Sequence, residues 1–177
     1  EAAANGPQRC YHCKTALFSQ LRQAAREDGY TVLLDGTNAS DDAGDRPGMR
    51  ALRELEVRSP LRECGLTKEE VRRRSREAGL FTWDKPAYAC LATRIPTGTP
   101  ITKEDLDRVE RAECALEALA ALGFSDFRVR LFHGAARLQV TWEQLPLALE
   151  KQAELRAALW SDFSDVLLDL APRTPST

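Results

Sequence analysis

One cysteine stands in a segment dense with functional side chains: Trp83-Asp84-Lys85-Pro86-Ala87-Tyr88-Ala89-Cys90-Leu91-Ala92-Thr93-Arg94-Ile95-Pro96. The prolines at 86 and 96 break both helical and alternating patterns, so the backbone here is irregular. A reactive thiol needs access and a nearby cation, because the thiolate is the nucleophile. Lys85 and Arg94 are the cations at hand. The chemistry on offer at Cys90 is therefore nucleophilic attack.

A second constellation is Asp35-Gly36-Thr37-Asn38 with Asp41, a polar turn directly after the apolar run Tyr30-Thr31-Val32-Leu33-Leu34. Such a turn presents backbone donors and side-chain oxygens to a nucleotide or a Mg2+-bound phosphate. The same residues also make an ordinary turn, and their spacing does not separate the two readings. Arg128 and Arg130 share a face of a strand by the two-residue period, with Arg137 on a candidate neighbouring strand. Guanidiniums so placed can hold phosphate or carboxylate, although the pattern alone favours a solvated sheet face. Glu110 and Glu113 share a helix face; they suit cation binding or acid–base work, or are simply solvated. Cys10-Tyr11-His12-Cys13 has the spacing of half a metal site. It has no second pair and no preceding strand, so structural thiols are favoured and no metal site is expected.

The elements that must position these groups follow from periodicity. A helix is expected over 15–28, ended by Gly29. Residues 30–34 read as a strand buried on both faces, with the polar turn at its C-terminal end, where parallel α/β sheets bind ligands. A short helix opens at Arg46-Pro47-Gly48, a short strand is expected over 57–61, and Thr67-Lys68-Glu69-Glu70 is a capping box for a helix ending near Gly79. Beyond Gly98 and Pro100 the pattern changes. A long helix begins after Thr102, with Cys114 on its apolar pattern. Strands at 127–131 and 136–140, a helix over 143–159 and a strand at 166–170 then give the order αββαβ, a small α+β domain.

Composition narrows the class. The chain has 177 residues and a net charge of −2, which gives no general attraction to nucleic acid or anionic membrane. The run Arg72, Arg73, Arg74 and Arg76 reads as a solvated helix face. No apolar stretch approaches a membrane span and no leader pattern opens the chain. Five cysteines without an export signal argue for a reducing, cytoplasmic setting.

In order, Arg9-Cys10-Tyr11-His12-Cys13-Lys14, Asp35-Gly36-Thr37-Asn38, Arg46-Pro47-Gly48, Arg58-Ser59-Pro60-Leu61, Gly65-Leu66-Thr67-Lys68, Thr82-Trp83-Asp84-Lys85-Pro86, Ala89-Cys90-Leu91-Ala92-Thr93-Arg94-Ile95-Pro96 and Arg128-Val129-Arg130 resemble the ATP-dependent sacrificial sulfur transferase (LarE) family of the PP-loop, or N-type ATP pyrophosphatase, superfamily. The resemblance covers nearly the whole chain, and its specificity lies in the ordered combination.

The resemblance implies an α/β protein. Residues 1–97 would be the C-terminal half of a Rossmann-like (adenine nucleotide alpha hydrolase-like) parallel-sheet domain. Residues 98–177 would be a small α+β domain for substrate binding and oligomerisation. It also implies a reaction. ATP, with Mg2+, adenylates a carboxylate of pyridinium-3,5-biscarboxylic acid mononucleotide. Cys90 forms a thioester, and elimination leaves its sulfur on the product and dehydroalanine in the chain, for the nickel-pincer cofactor of lactate racemase. By motif match Lys85, Arg94, Arg128, Arg130, Glu110 and Glu113 bind substrate, and Asp35, Gly36, Thr37, Asn38 and Asp41 bind the nucleotide.

The family's Ser-Gly-Gly-x-Asp-Ser loop is absent, since none of the ten glycines is adjacent to another; the chain alone is expected to be inactive with ATP. Gln139 stands where the family often has glutamate. The competing expectations are a truncated, non-catalytic relative that binds a nucleotide or partner, and a PP-loop thiolase or amidator acting on tRNA. The latter would predict a paired CxxC site or a basic surface.

Overall fold

A computed structural model describes residues 1–41, 44, 46–85 and 88–173. Pro86, one of the two prolines bracketing Cys90, lies outside the described residues, as does the end of the polar tail. The chain is an α/β protein with seven α-helices and one three-stranded sheet among the described residues. It divides into two compact units, Glu1–Lys85 and Pro86–Thr177.

The first unit is mostly helical. Helix α1 spans Arg9–Glu27, and Gly29, with φ of 84°, lets the chain turn out of it. Helix α2 spans Pro47–Glu54, with proline in its first turn, where no intrahelical N–H is lost. The Tyr11 hydroxyl donates to Glu54 Oε2 at 2.6 Å, and the Arg50 guanidinium covers the Tyr11 ring at 4.3 Å. These contacts tie α1 to α2 over a small buried core of Ala51, Leu52 and Val57. Two further helices follow, α3 (Pro60–Glu63) and α4 (Lys68–Glu77).

The expected strand at 30–34 is corrected. Leu34 makes a single parallel bridge to Arg58, and no sheet forms in this unit among the described residues. Tyr30, Val32 and Leu34 are 67%, 53% and 60% exposed rather than buried on both faces. A strand needs neighbours on its edges and layers on its faces, and among the described residues this segment finds only the one edge partner. A Rossmann-like parallel sheet is therefore not seen in the described residues.

The capping box forms as read. Thr67 Oγ1 accepts the Glu70 N–H at 3.2 Å, and Glu70 Oε2 accepts the Thr67 N–H at 2.9 Å. Thr67→Ala should cost α4 about 1 kcal/mol, seen as faster amide exchange over its first turn; unchanged exchange would refute this. Within the arginine run, Arg72 donates to the Lys85 carbonyl at 2.8 Å and Arg76 covers the Trp83 ring at 4.8 Å. The run thus folds the segment before Lys85 back along α4.

The second unit holds the main core. Helix α5 (Lys103–Glu117) starts at a Thr102 cap whose Oγ1 accepts the Asp105 N–H. Strand β1 (Phe127–Phe132) pairs antiparallel with β2 (Ala135–Val140), and β2 pairs parallel with β3 (Val166–Leu168). The β1–β2 loop is His133-Gly134, both at positive φ, as a tight hairpin turn matching strand twist requires. The parallel β2–β3 connection runs through α6 (Leu145–Glu150) and α7 (Gln152–Leu159), since parallel strands need a crossover. This is the helix–strand–strand–helix–strand order read in the sequence, with the second helix broken at Lys151. Val109, Leu116, Val129, Leu138, Val140 and Leu159 form the heart of the core.

Two expectations change here. Ile95 is 2% exposed and packs in this core, so 88–97 belong with the second unit, not with residues 1–85. Cys114 is exposed, because α5 buries Val109, Ala112, Glu113 and Leu116, and position 114 falls outside that stripe.

Candidate functional site

Two sets of functional side chains emerge, one in each unit. In the first, α1 and α2 border a cleft of about 660 Å3 with the polar turn. Its lining includes Lys14 and Cys10 from α1, Arg46 and Gly48 from the start of α2, and Asp35, Gly36, Thr37 and Asp41. Cys10 and Lys14 share a face because they are four apart on a helix. Asn38 serves the turn itself: its Oδ1 accepts the Ser40 N–H at 2.9 Å, while its own N–H donates to Asp41 Oδ2 at 2.8 Å.

Asp35 is held on both carboxylate oxygens. One carboxylate oxygen accepts from Ser59 Oγ at 2.6 Å and the Thr37 N–H at 3.2 Å, the other from Thr37 Oγ1 at 2.6 Å. Burial pushes its pKa up, but these hydrogen bonds and the Lys14 charge outweigh that, and the carboxyl sits below its ordinary value. A depressed carboxyl stabilises the fold above its unfolded value of roughly 3.9 and loses that contribution as pH falls through the folded value. Asp35→Asn should therefore flatten the acid limb of the first unit's stability, measured as urea midpoints from neutral pH downward. An unchanged acid limb would count against it.

The turn's two carboxylates and the Lys14 and Arg46 cations suit the phosphates of a nucleotide carrying Mg2+, a metal held by one or two carboxylates plus substrate oxygens. Among the described residues no group of three or more His, Cys, Asp or Glu side chains could hold a metal by itself. Lys14 and Arg46 were not singled out as ligands by the sequence reading. The signal available was the helical spacing from Cys10 to Lys14.

In the second unit, Cys90 is exposed and stands at the start of a 3-10 turn, Leu91–Arg94. The Thr93 N–H and hydroxyl both donate to the Cys90 carbonyl, at 2.9 and 2.8 Å. Arg94 Nη1 donates to Thr93 Oγ1 at 2.9 Å and to the Ala89 carbonyl at 3.2 Å.

Arg94 itself is 1% exposed. Its Nε and Nη2 donate to the two oxygens of Glu113 at 2.9 and 3.0 Å, and Glu113 also accepts the Val129 N–H at 2.9 Å. The guanidinium charge is thus matched inside the core, and Arg94 anchors the Cys90 turn instead of standing as an open cation beside the thiol. Glu110 and Glu113, expected to share one environment, are separated: Glu110 is exposed and Glu113 is buried. Lys85 lies in the first unit, its ammonium 4.8 Å from the Phe81 ring centroid.

The arginine face is not a solvated one. Arg128 is 7% exposed and donates to the Phe127 carbonyl at 2.6 Å, with Asp126 at 3.5 Å. Arg130 donates to Gln139 Oε1 and to the Thr93 carbonyl, both at 2.5 Å. Gln139 in turn donates to Asp169 at 2.7 Å, which also pairs with Arg137 at 3.4 Å. The Tyr88 ring lies 5.4 Å from the Arg94 guanidinium and 5.7 Å from that of Arg128. Burial, followed by the charges of Arg94, Arg137 and Arg173, presses the Arg130 guanidinium below the usual arginine range; Arg128 shifts the same way, through burial and then Arg173 and Arg94. Positive charge is therefore crowded here, and an incoming anion would relieve it. Asp126, Asp169 and Arg173 were not among the sequence-derived site residues, because the sheet and its crossover bring them together; Tyr88 and Thr93 lie in the Cys90 segment, and their contacts to Arg128 and Arg130 come from packing.

Each unit thus carries its own set: a charged cleft in the first, and in the second an exposed thiol on a turn held by Arg94 and, through the Thr93 carbonyl, by Arg130. No protein-family model matches the chain. It is 44% identical over 142 residues to an uncharacterized protein of Synechocystis sp., covering 80% of this chain and 52% of that protein. It is 35% identical over 136 residues to the pyridinium-3,5-bisthiocarboxylic acid mononucleotide synthase of Lactiplantibacillus plantarum, covering 77% of this chain and 48% of that enzyme. An uncharacterized protein of Methanocaldococcus jannaschii is 30% identical over 166 residues, covering 94% of this chain and 64% of that protein. The chain thus spans about half to two thirds of the length of the curated relatives it matches. No helix among the described residues is long and apolar enough to cross a membrane.

Proposed function

We propose that the chain is part of a sacrificial sulfur transferase that delivers the sulfur of Cys90 to an activated carboxylate. The observation that carries the reading is the likeness to the synthase from L. plantarum, taken with an exposed Cys90 on a turn that Thr93 closes and Arg130 holds at the Thr93 carbonyl. The substrate proposed is pyridinium-3,5-biscarboxylic acid mononucleotide. ATP, bound with Mg2+ at Asp35, Thr37, Asp41, Lys14 and Arg46, would turn a carboxylate oxygen into a good leaving group. The Cys90 thiolate then attacks the acyl carbon and expels AMP.

Arg128 and Arg130 would meet the anionic groups of the substrate, and Arg94 with Glu113 would hold the turn from behind. Lys85 and Glu110 remain proposed substrate contacts on motif match alone. A homo-oligomer and a cytoplasmic setting belong to the same proposal, with neither nucleic acid nor membrane as partner.

The test uses the polypeptide encoded by the complete gene, whose reading frame is first checked for a Ser-Gly-Gly-x-Asp-Ser loop. Incubated with ATP, Mg2+ and the biscarboxylate, each chain should lose about 34 Da once, the mass of one hydrogen sulfide, at Cys90. Sulfur transfer with unchanged protein mass would sink the reading. A protein that binds nucleotide yet transfers no sulfur would favour the non-catalytic relative.

A further inference from the structure

The thioester chemistry explains how Cys90 gains an acyl group, but not how its carbon–sulfur bond breaks. That break is an elimination. The Cα proton of Cys90 leaves to a base, the electron pair forms the Cα=Cβ bond, and sulfur departs from Cβ with the C–S pair as a thiocarboxylate. A Cα proton is only weakly acidic. As it leaves, negative charge develops on the oxygen conjugated with it, which is the carbonyl oxygen of Cys90 itself.

That oxygen is the one that Thr93 holds. The Thr93 N–H donates to it at 2.9 Å and the Thr93 hydroxyl at 2.8 Å. The direction of the hydroxyl proton is fixed by chemistry. Arg94 Nη1 lies 2.9 Å from Thr93 Oγ1, and a guanidinium only donates. The hydroxyl therefore accepts from Arg94 and turns its own proton to the Cys90 carbonyl. Glu113 fixes Arg94 on one side, and Arg130 Nη1 grips the Thr93 carbonyl at 2.5 Å on the other. Donors held in place before charge develops stabilise an oxyanion without reorganising.

We infer that Thr93 is a catalytic residue of the carbon–sulfur cleavage, its amide and hydroxyl forming the anion hole for the enolate on the carbonyl of Cys90. The inference rests on the sulfur-donor reading of Cys90, and Arg94 enters it as a positioning residue that polarises and orients the Thr93 hydroxyl.

The consequence can be read on this chain alone, without ATP. All five cysteines are exposed, so all can be S-cyanylated with 2-nitro-5-thiocyanatobenzoate. At mildly alkaline pH hydroxide takes the Cα proton, becoming water, and thiocyanate leaves with the C–S electron pair; the dehydroalanine that remains is scored apart from the cyclisation that cleaves the chain before a cyanylated cysteine. Peptide mass spectrometry gives the rate at each site. Cys10, Cys13 and Cys114 sit in helices, where the carbonyl accepts one backbone N–H, so they serve as single-donor references.

Cys90 should eliminate about tenfold faster than Cys10, Cys13 and Cys114. That lies below the roughly 10²–10³ of donors in water-excluded oxyanion holes, because this turn is exposed. Thr93→Ser should keep the advantage, Thr93→Val should bring Cys90 down to the level of the others, and unfolding in urea should equalise all five. Equal rates in the folded wild type would overturn the inference, even if Thr93→Val proved unable to fold. So would a folded Thr93→Val that keeps Cys90 fast. The sulfur-donor reading fails separately, through an absent ATP-dependent mass loss at Cys90 with normal elimination of the cyanylated residue.

Discussion

Glu113→Ala is expected to destabilise the second unit by about 3–5 kcal/mol, the range for removing one partner of a buried ion pair. The Arg94 and Glu113 side chains are 1% and 3% exposed. The substitution would leave a guanidinium with no counter-charge in the core, and strip the Val129 N–H in β1 of its acceptor. Glu113→Gln keeps the shape but not the charge, and should fall between wild type and alanine. The informative control is the double variant Arg94→Met with Glu113→Leu. Replacing both charges by apolar groups of similar size removes the stranded cation, so its loss should be much smaller than that of Glu113→Ala. Chemical denaturation followed by near-ultraviolet dichroism measures all four proteins. A Glu113→Ala protein within about 1 kcal/mol of wild type, as an exposed pair would give, would show that the pair does not organise this core. The same variant should loosen the Cys90 turn, since Arg94 also holds the Ala89 carbonyl and the Thr93 hydroxyl. Amide exchange at Thr93 reports that directly.

Cys90→Ala in the complete protein is expected to abolish sulfur delivery, with neither mass loss nor thiolated product, while leaving stability within about 0.5 kcal/mol of wild type. The second half follows from exposure: the thiol fills no cavity. Cys90→Ser separates the chemical roles, since a hydroxyl can accept an acyl group but has no sulfur to give. The same change at Cys10, Cys13, Cys64 or Cys114 should leave transfer intact. Those thiols are also exposed, so exposure alone cannot explain a loss confined to Cys90. A Cys90→Ala protein that still delivers sulfur would end the donor assignment.

Parts of this picture were legible residue by residue. The Thr67–Glu70 capping box, the glycine after α1 and the two-residue period of Arg128 and Arg130 on β1 are local signals, set within a few residues of chain. The strand at 30–34 was misread for a related reason. An apolar run reports the tendency to be covered, not the presence of a cover, and Val32 and Leu34 meet none within the described residues. Cys114 was misplaced by the width of one helical stripe. Glu113, three residues from Glu110 on the same helix, looked like its twin until packing buried one and left the other in water.

The available chemistry is written in the chain: a thiol in irregular backbone at Cys90, carboxylates and a hydroxyl in the turn at 35–41, and guanidiniums on β1. Those follow from residue type and short spacing. Packing settles which groups are left to act. Pairing of β1 with β2 and the crossover to β3 crowd Arg128, Arg130, Arg137 and Asp169 together, and burial in the second core spends the Arg94 charge on Glu113. Charge is a local property of the chain, whereas solvation and counter-charge depend on residues far apart in sequence. That is why a residue read as the activator of Cys90 is instead the anchor of its turn, and why Thr93 is the residue that touches the Cys90 carbonyl.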